Sequence, residues 1–280
     1  MSLTKFIALP DVKVKLEREF PLPAAALKGR MLAPPVTKNY PTVGTAFDYL
    51  LRFYLERLNP GCVTQRWVAE DSVELTRLFP RHFGDPGLFG EASELLRLAK
   101  ESHQRYIKSG KLGDYIFTSA IHLAQLDIIY RTGTVDPDMG RVDPGDLADL
   151  SNLIALVEPE LFRSQEICML NPTFGEASHI VGGADADIVI DDKLVDIKTS
   201  KYLEFRREHY NQLVGYYLLS RIGGCVGAVK GLSFSKLGIY YSRYGILHTV
   251  TVEAIESKSN LKQFTEWFVK RAREAYPREN

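Results

Sequence analysis

Apolar residues recur at helical spacing through the first half of the chain and in short, often alternating runs through the second, with the change near Ser164. From Thr42, the positions Phe47, Leu50, Leu51, Tyr54, Leu55 and Leu58 mark an amphipathic helix that Asn59-Pro60-Gly61 stops. Two further helices are predicted over EASELLRLAKESHQRYIKSG and DYIFTSAIHLAQLDIIYRTG, each closed by Gly, and the latter is apolar enough to lie in a core. After the turn-rich TVDPDMGRVDPG, Asp146 or a neighbour caps one more helix through ADLSNLIALVE, which Pro159 ends. Residues 1 to about 42 are rich in Pro and basic residues, and they read as an irregular arm.

Beyond Ser164, the segments SQEICMLN, SHIVGGADADIVI and KLVDIKTS are separated by Asn, Pro, Gly and Asp, a strand-and-hairpin signature. A helix follows with Phe205, Tyr210, Leu213, Tyr216, Tyr217 and Leu218 on or beside one face. LSFSKLGIYYSRYGILHTVTV reads as strands about a turn at Tyr244-Gly245, and residues from about 252 to 275 as a last helix. The expected architecture is α/β: a helical region over 43–160 packed on a sheet-bearing core over 161–280, as one compact unit.

Composition adds limits. With 45% hydrophobic and 25% charged residues the chain is that of an ordinary globular protein. Its 35 basic and 35 acidic residues cancel, so any grip on a polyanion must come from a local cluster. The N-terminal stretch lacks the apolar core of a signal peptide and no run is long enough to span a bilayer, so a cytoplasmic location with no membrane contact is expected. Cys62, Cys168 and Cys225 form neither a disulfide framework nor a metal-binding pattern, and buried, reduced thiols are the expectation. No GxxxxGK[ST] loop is present, and Gly223-Gly224 with Gly227 is too weak a signal for a nucleotide cradle.

The chemistry concentrates in GGADADIVIDDKLVDIKTS. A two-residue turn at Asp191-Asp192 pairs Ile190 with Lys193, which sets Asp187 opposite Asp196 and Asp185 opposite Lys198. Strand alternation then projects Asp185, Asp187, Asp196 and Lys198 from one face, with Ala186, Ile188, Val195 and Ile197 on the other. Like charges facing each other across a sheet are destabilising, so a cation between Asp187 and Asp196 is the simplest way to make the arrangement favourable. Hard carboxylate oxygens suit Mg²⁺, with Mn²⁺ as a substitute. Asp191 and Asp192, at the turn, read as solvated.

The run Asp187-Ile188-Val189-Ile190, a turn, then Asp196-Ile197-Lys198 resembles the PD-(D/E)xK nuclease superfamily, and Thr199-Ser200 after the lysine is similar to its RecB-like exonuclease branch. Gln212-Leu213-Val214-Gly215-Tyr216 resembles that branch's downstream helix motif. Over Glu166 to Tyr216 the resemblance implies a restriction-endonuclease-like mixed β-sheet core flanked by helices. It assigns Asp187 and Asp196 as metal ligands, the Ile197 backbone carbonyl as a third ligand, and Lys198 as the group orienting or activating the attacking water. Gln212 and Tyr216 would support the site from the neighbouring helix. The upstream ligand is open: the branch often carries a His after a glycine in an early helix, where Gly44-Thr45-Ala46-Phe47-Asp48 offers Asp48, and Glu158, Glu160 and Glu176 are the other candidates. Branch members with an iron–sulfur cluster use four cysteines, so none is expected here.

The expected function is metal-dependent hydrolysis of DNA phosphodiester bonds, exonuclease-like, in repair, recombination or defence. Two alternatives stand beside it: a nuclease-fold module that binds nucleic acid or a protein without cutting, and a hydrolase of some non-nucleic phosphoester. Lys201, Arg206, Arg207 and His209 follow the hairpin as a phosphate track or a solvated helix face, and the aromatics of GIYYSRYG read as sheet packing.

Overall fold

The computed structural model describes residues 2–228, 232–257 and 260–277. In chain order the elements are α1 (Leu3–Ile7), α2 (Pro10–Glu19), α3 (Tyr40–Leu58), β1 (Val63–Thr64), α4 (Val68–Leu78), α5 (Pro80–Phe83), α6 (Leu88–Ser109), α7 (Asp114–Thr132), α8 (Pro144–Ile154), β2 (Cys168–Leu170), α9 (Glu176–Ile180), β3 (Ile188–Ile190), β4 (Lys193–Lys198), α10 (Arg207–Gly223), β5 (Lys236–Tyr241), β6 (Ile246–Thr251), α11 (Val252–Glu256) and α12 (Leu261–Ala275). The strands form one mixed sheet in the order β1-β2-β3-β4-β5-β6, parallel at β1/β2 and β4/β5 and antiparallel elsewhere. The fold is therefore α/β, a six-stranded mixed sheet flanked by helices.

Alternation along the strands sends side chains into two cores. Ile188, Ile190, Val195 and Tyr240 join the buried side chains of α3, α4, α6, α7 and α8 on one face. Val189, Leu194, Leu237, Ile239 and Tyr241 meet α1, α2, α9, α10 and α12 on the other. Helix α10 is the crossover that the parallel pair β4/β5 requires.

Four local expectations are corrected. The first stretch is irregular only over residues 20–39; before it, Leu3, Phe6, Ile7, Val12 and Leu16 are buried at helical spacing in α1 and α2, Pro10 occupies the first turn of α2, and the Phe6 ring packs edge-on against Phe268. Residues 178–180, read as strand, lie in α9, because the Ser178 hydroxyl accepts from the Phe174 N–H and donates to the Ala184 carbonyl, closing the chain into a compact turn. The last helix divides into α11 and α12, with residues 258 and 259 of that prediction outside the described residues. Cys62 and Cys168 are joined as a disulfide, Cα atoms 4.6 Å apart, because the parallel register pairing Val63 with Met169 sets the preceding residues side by side. Only Cys225 is free, and it is half-buried.

Helix α4 escaped sequence reading because its buried face is Ala69, Ser72, Val73 and Thr76, small and polar side chains that carry little hydrophobic signal. The two hydroxyls return to the carbonyls of Val68 and Val73, so their burial leaves no polar group unsatisfied. Among the described residues no helix is long and apolar enough to cross a membrane.

Candidate active site

The β3–β4 hairpin has the register expected from its sequence, with Ile190 paired to Lys193 and Ile188 to Val195. Asp191 makes the turn at φ 51°, a left-handed conformation that Asp tolerates better than most residues. Its carboxylate is not simply solvated: it accepts from the backbone N–H groups of Gln165, Glu166 and Ile167 at 2.9–3.1 Å, pinning the turn to the chain entering β2. Burial opposes the charge, but these donors outweigh it and hold Asp191 below the usual carboxylate range. Asp192 is exposed, with the Ser235 hydroxyl on its carboxylate.

Before Ile188 the hairpin opens. The Ala186 N–H donates to Pro172 and the Asp187 carbonyl accepts from Asn171, so the chain follows the extension of β2 instead of β4. Asp185 is bridged to Thr173 and does not face Lys198, and Ala186 packs in the α10-side core instead of beside Ile188. The splay has a consequence at Ile197, whose N–H loses its strand partner and donates to Asp187 Oδ2 at 2.6 Å. Because the N–H and C=O of one strand residue point the same way, the Ile197 carbonyl also faces this opening.

Asp187 and Asp196 stand one step beyond the last paired residues, at the carboxyl end of β4, and both line a cleft of about 430 Å³. Asp196 is only 2% exposed. The Lys198 Nζ lies 2.6 Å from Asp196 Oδ2, an ion contact without hydrogen-bond alignment, and donates to Gln212 Oε1 at 3.0 Å. Gln212 Nε2 in turn donates to the Tyr216 hydroxyl at 2.8 Å, a contact that i, i+4 spacing on α10 provides. All five side chains expected from the sequence, Asp187, Asp196, Lys198, Gln212 and Tyr216, therefore meet in one cleft.

The opposite wall comes from α3. Asp48 lines the cleft, whereas Glu158, Glu160 and Glu176 are exposed elsewhere and do not. Arg52, one turn on, grips Asp48 Oδ2 at 2.5 Å, and Asp48 Oδ1 is buried without a hydrogen-bond partner. Arg52 was missed by sequence reading, although its i+4 spacing from an acid was visible. Arg131 and Asn171, also in the wall, carried no signal because their positions depend on α7 packing and on the turn after β2. Arg206 pairs with Glu204 and Arg207 donates to the Phe20 carbonyl, so two members of the expected phosphate track have structural partners.

Burial first, then the charges of Asp196 and Asp48, push the Asp187 carboxyl well above the ordinary carboxylate range, against the pull of Lys198 and the Ile197 N–H. Burial also works against the Lys198 ammonium, but Asp196 and Asp187 outweigh it and raise its pKa, so it stays charged. The Tyr216 hydroxyl is likewise driven well up by burial and by Asp196 and Asp187. This is a site short of positive charge. Among the described residues no three His, Cys, Asp or Glu side chains converge into a cage for an ion. The donors present are the hard oxygens of Asp187 and Asp196 beside the Ile197 carbonyl, with the unpartnered Asp48 Oδ1 across the cleft. That set fits Mg²⁺, which usually takes one or two carboxylates and completes its shell with water and substrate oxygen.

Behind Asp48, Asp127 is buried and accepts from the Tyr49 hydroxyl at 2.6 Å and from Arg131 at 3.4 Å. Burial dominates and raises its pKa from 3.8 to about 6 despite Arg131. A raised folded-state value stabilises the fold below pH 3.8, and the contribution is lost as pH rises through about 6. Relative to wild type, Asp127→Asn is therefore expected to gain ~2–3 kcal/mol of unfolding free energy between about pH 4 and pH 7. Urea titrations at both pH values check this, and parallel pH dependence of the two proteins rejects it.

Comparison with known protein families, with curated proteins and with solved structures finds no match to this chain.

Proposed function

We propose that the chain is a Mg²⁺-dependent deoxyribonuclease with a restriction-endonuclease-like core, hydrolysing DNA phosphodiester bonds at the cleft between β4, α10 and α3. The observation that carries this reading is the position of the Lys198 ammonium, between Asp196 and Gln212 and beside the half-buried Asp187. A folding role alone would not favour two facing carboxylates.

Asp187, Asp196 and the Ile197 carbonyl would hold the cation, with Asp48 the acid offered from the upstream helix. Bound there, a divalent cation supplies Lewis acidity toward water and phosphate and neutralises charge that develops on the phosphate. Lys198 has three N–H donors; Gln212 takes one and Asp196 lies against the ammonium, which leaves donor capacity facing the cleft for the attacking water or a phosphate oxygen. Gln212, itself oriented by Tyr216, fixes where the ammonium points.

The test compares linear single-stranded, linear duplex and closed circular DNA with Mg²⁺ or Mn²⁺, beside an EDTA control. Metal-dependent loss of linear DNA is expected, and sparing of circles makes the enzyme an exonuclease. No cleavage of any substrate, with DNA binding retained, overturns the reading and leaves a non-cutting nuclease-fold module.

A further inference from the structure

The cleft does not end at the carboxylates. It shares Arg131, Asn171 and Asp185 with a larger groove of about 950 Å³ that runs between the start of α4 and the turn around α9. Tyr130, Arg131, Arg66, Lys5 and His179 lie along this groove, with Asp71 and Asp185 the acids among them. The Arg66 side chain is 58% exposed, with Asp71 at 3.2 Å and Glu70 at 4.0 Å from its Nε. At the opposite mouth, Tyr40 borders the cleft and the Lys201 ammonium lies 5.8 Å from its ring and 5.3 Å from that of Tyr202.

The tyrosines supply a second, independent pattern. The chain has 14, and among the described residues only Tyr40, Tyr130 and Tyr202 are exposed, at 45%, 54% and 49%. Tyr40 lines the cleft, Tyr130 lines its continuation next to Arg131, and Tyr202 shares the Lys201 ammonium with Tyr40. Exposing three large rings gains nothing for folding, and scattering over the surface would be the expectation if they were incidental.

We infer that the groove past Arg131 is a binding track for an unpaired DNA strand, which enters or leaves the cleft with its bases stacked on Tyr130 and its phosphates on Lys5, Arg66 and Arg131. The inference rests on the nuclease reading and names the form of its substrate. Aromatic faces paired with cations bind single strands without sequence preference, whereas in a duplex the base faces are already covered by their neighbours. Depth agrees: Asp196 is buried on the cleft floor between α1, which supplies Leu3 and Thr4, and α3, which supplies Tyr40 and Gly44. A flexible strand reaches such a floor more readily than the convex backbone of a duplex.

The test measures fluorescence anisotropy of a labelled oligo-dT and of a duplex of equal length in EDTA, so that nothing is cut. Single-strand binding is expected to be at least tenfold tighter than duplex binding. Tyr130→Ala is expected to weaken oligo-dT binding between about five- and a hundred-fold, Tyr130→Phe to keep it, and an abasic oligonucleotide to show little difference between wild type and Tyr130→Ala. With about three phosphate contacts, log K should fall with log salt at a slope of roughly −2. Equal affinity for duplex, or oligo-dT binding untouched in Tyr130→Ala, overturns the track. If metal-dependent cleavage persists in that case, only the track fails; single-strand binding that follows Tyr130, in a protein that cuts nothing, instead overturns the catalytic reading and leaves the track standing.

Discussion

Lys198→Ala is expected to lower metal-dependent DNA cleavage by roughly 10³-fold, within the range that a positioned proton-transfer or water-orienting group contributes. The loss should fall on the chemical step, since Lys198 is directed by Gln212 and Asp196 to one point in the cleft and lies apart from the surface cations that would draw DNA in. Oligonucleotide affinity should therefore stay within a few-fold of wild type while the single-turnover cleavage rate collapses. Lys198→Arg should not rescue, because a planar guanidinium cannot take the place of a compact ammonium between a carboxylate and an amide oxygen. Removing the cation also leaves Asp187 and Asp196 facing each other without compensation. Folding should consequently be checked by thermal melting with and without Mg²⁺, and the destabilisation should shrink when Mg²⁺ is present. A variant cutting within about tenfold of the wild-type rate would remove Lys198 from the chemistry and with it the main support for the nuclease reading.

Legibility in the sequence followed the range of the interaction. The hairpin register was readable because a two-residue turn and period-2 alternation are local rules, and Ile190 does pair with Lys193. Asp185 failed because β3 leaves β4 at Ile188 to follow β2, a competition between two partner strands that the hairpin sequence does not contain. On α10, Gln212 and Tyr216 share a face by helical spacing alone, whereas their meeting with Lys198 depends on the β4–α10–β5 crossover. Of the four acids considered upstream only Asp48 lines the cleft, a difference that depends on tertiary packing bringing α3 across the end of β4. Asp48 is there because the Val43, Phe47 and Leu50 face of the same helix is buried against the helical core. Least legible were the pairs made by two distant segments. Cys62 and Cys168, 106 residues apart, meet only through the β1/β2 register, and nothing near Arg243 in the sequence announces its partner.

That partner is Asp149, and separating the two is expected to give the largest stability loss of any single charge removal among the described residues. Both side chains are 1% exposed, and they form two parallel contacts, Nη1 to Oδ1 at 2.7 Å and Nη2 to Oδ2 at 3.0 Å. Arg243 also donates from Nη1 to the Ala33 carbonyl at 3.0 Å, and its own carbonyl accepts from the N–H groups of Leu32 and Ala33. One residue in the β5–β6 turn thus ties helix α8 and the extended chain before α3 to the end of the sheet. Deleting one member of a buried pair costs about 3–5 kcal/mol because the other remains charged without compensation, a large part of the 5–15 kcal/mol that holds a typical domain folded. The two deletions should not be equal. A carboxyl left alone in an apolar site can be neutralised by a proton, but a guanidinium cannot, so Asp149→Ala should be the more damaging. Arg243→Met with Asp149→Leu removes both charges and fills most of the space, and it should be less destabilised than the sum of the single changes by at least about 2 kcal/mol. Urea unfolding of the four proteins in a double-mutant cycle measures this coupling directly. Additive losses would mean that the pair contributes through packing alone, and that backbone contacts of residues 32–33 are enough to hold this end of the sheet.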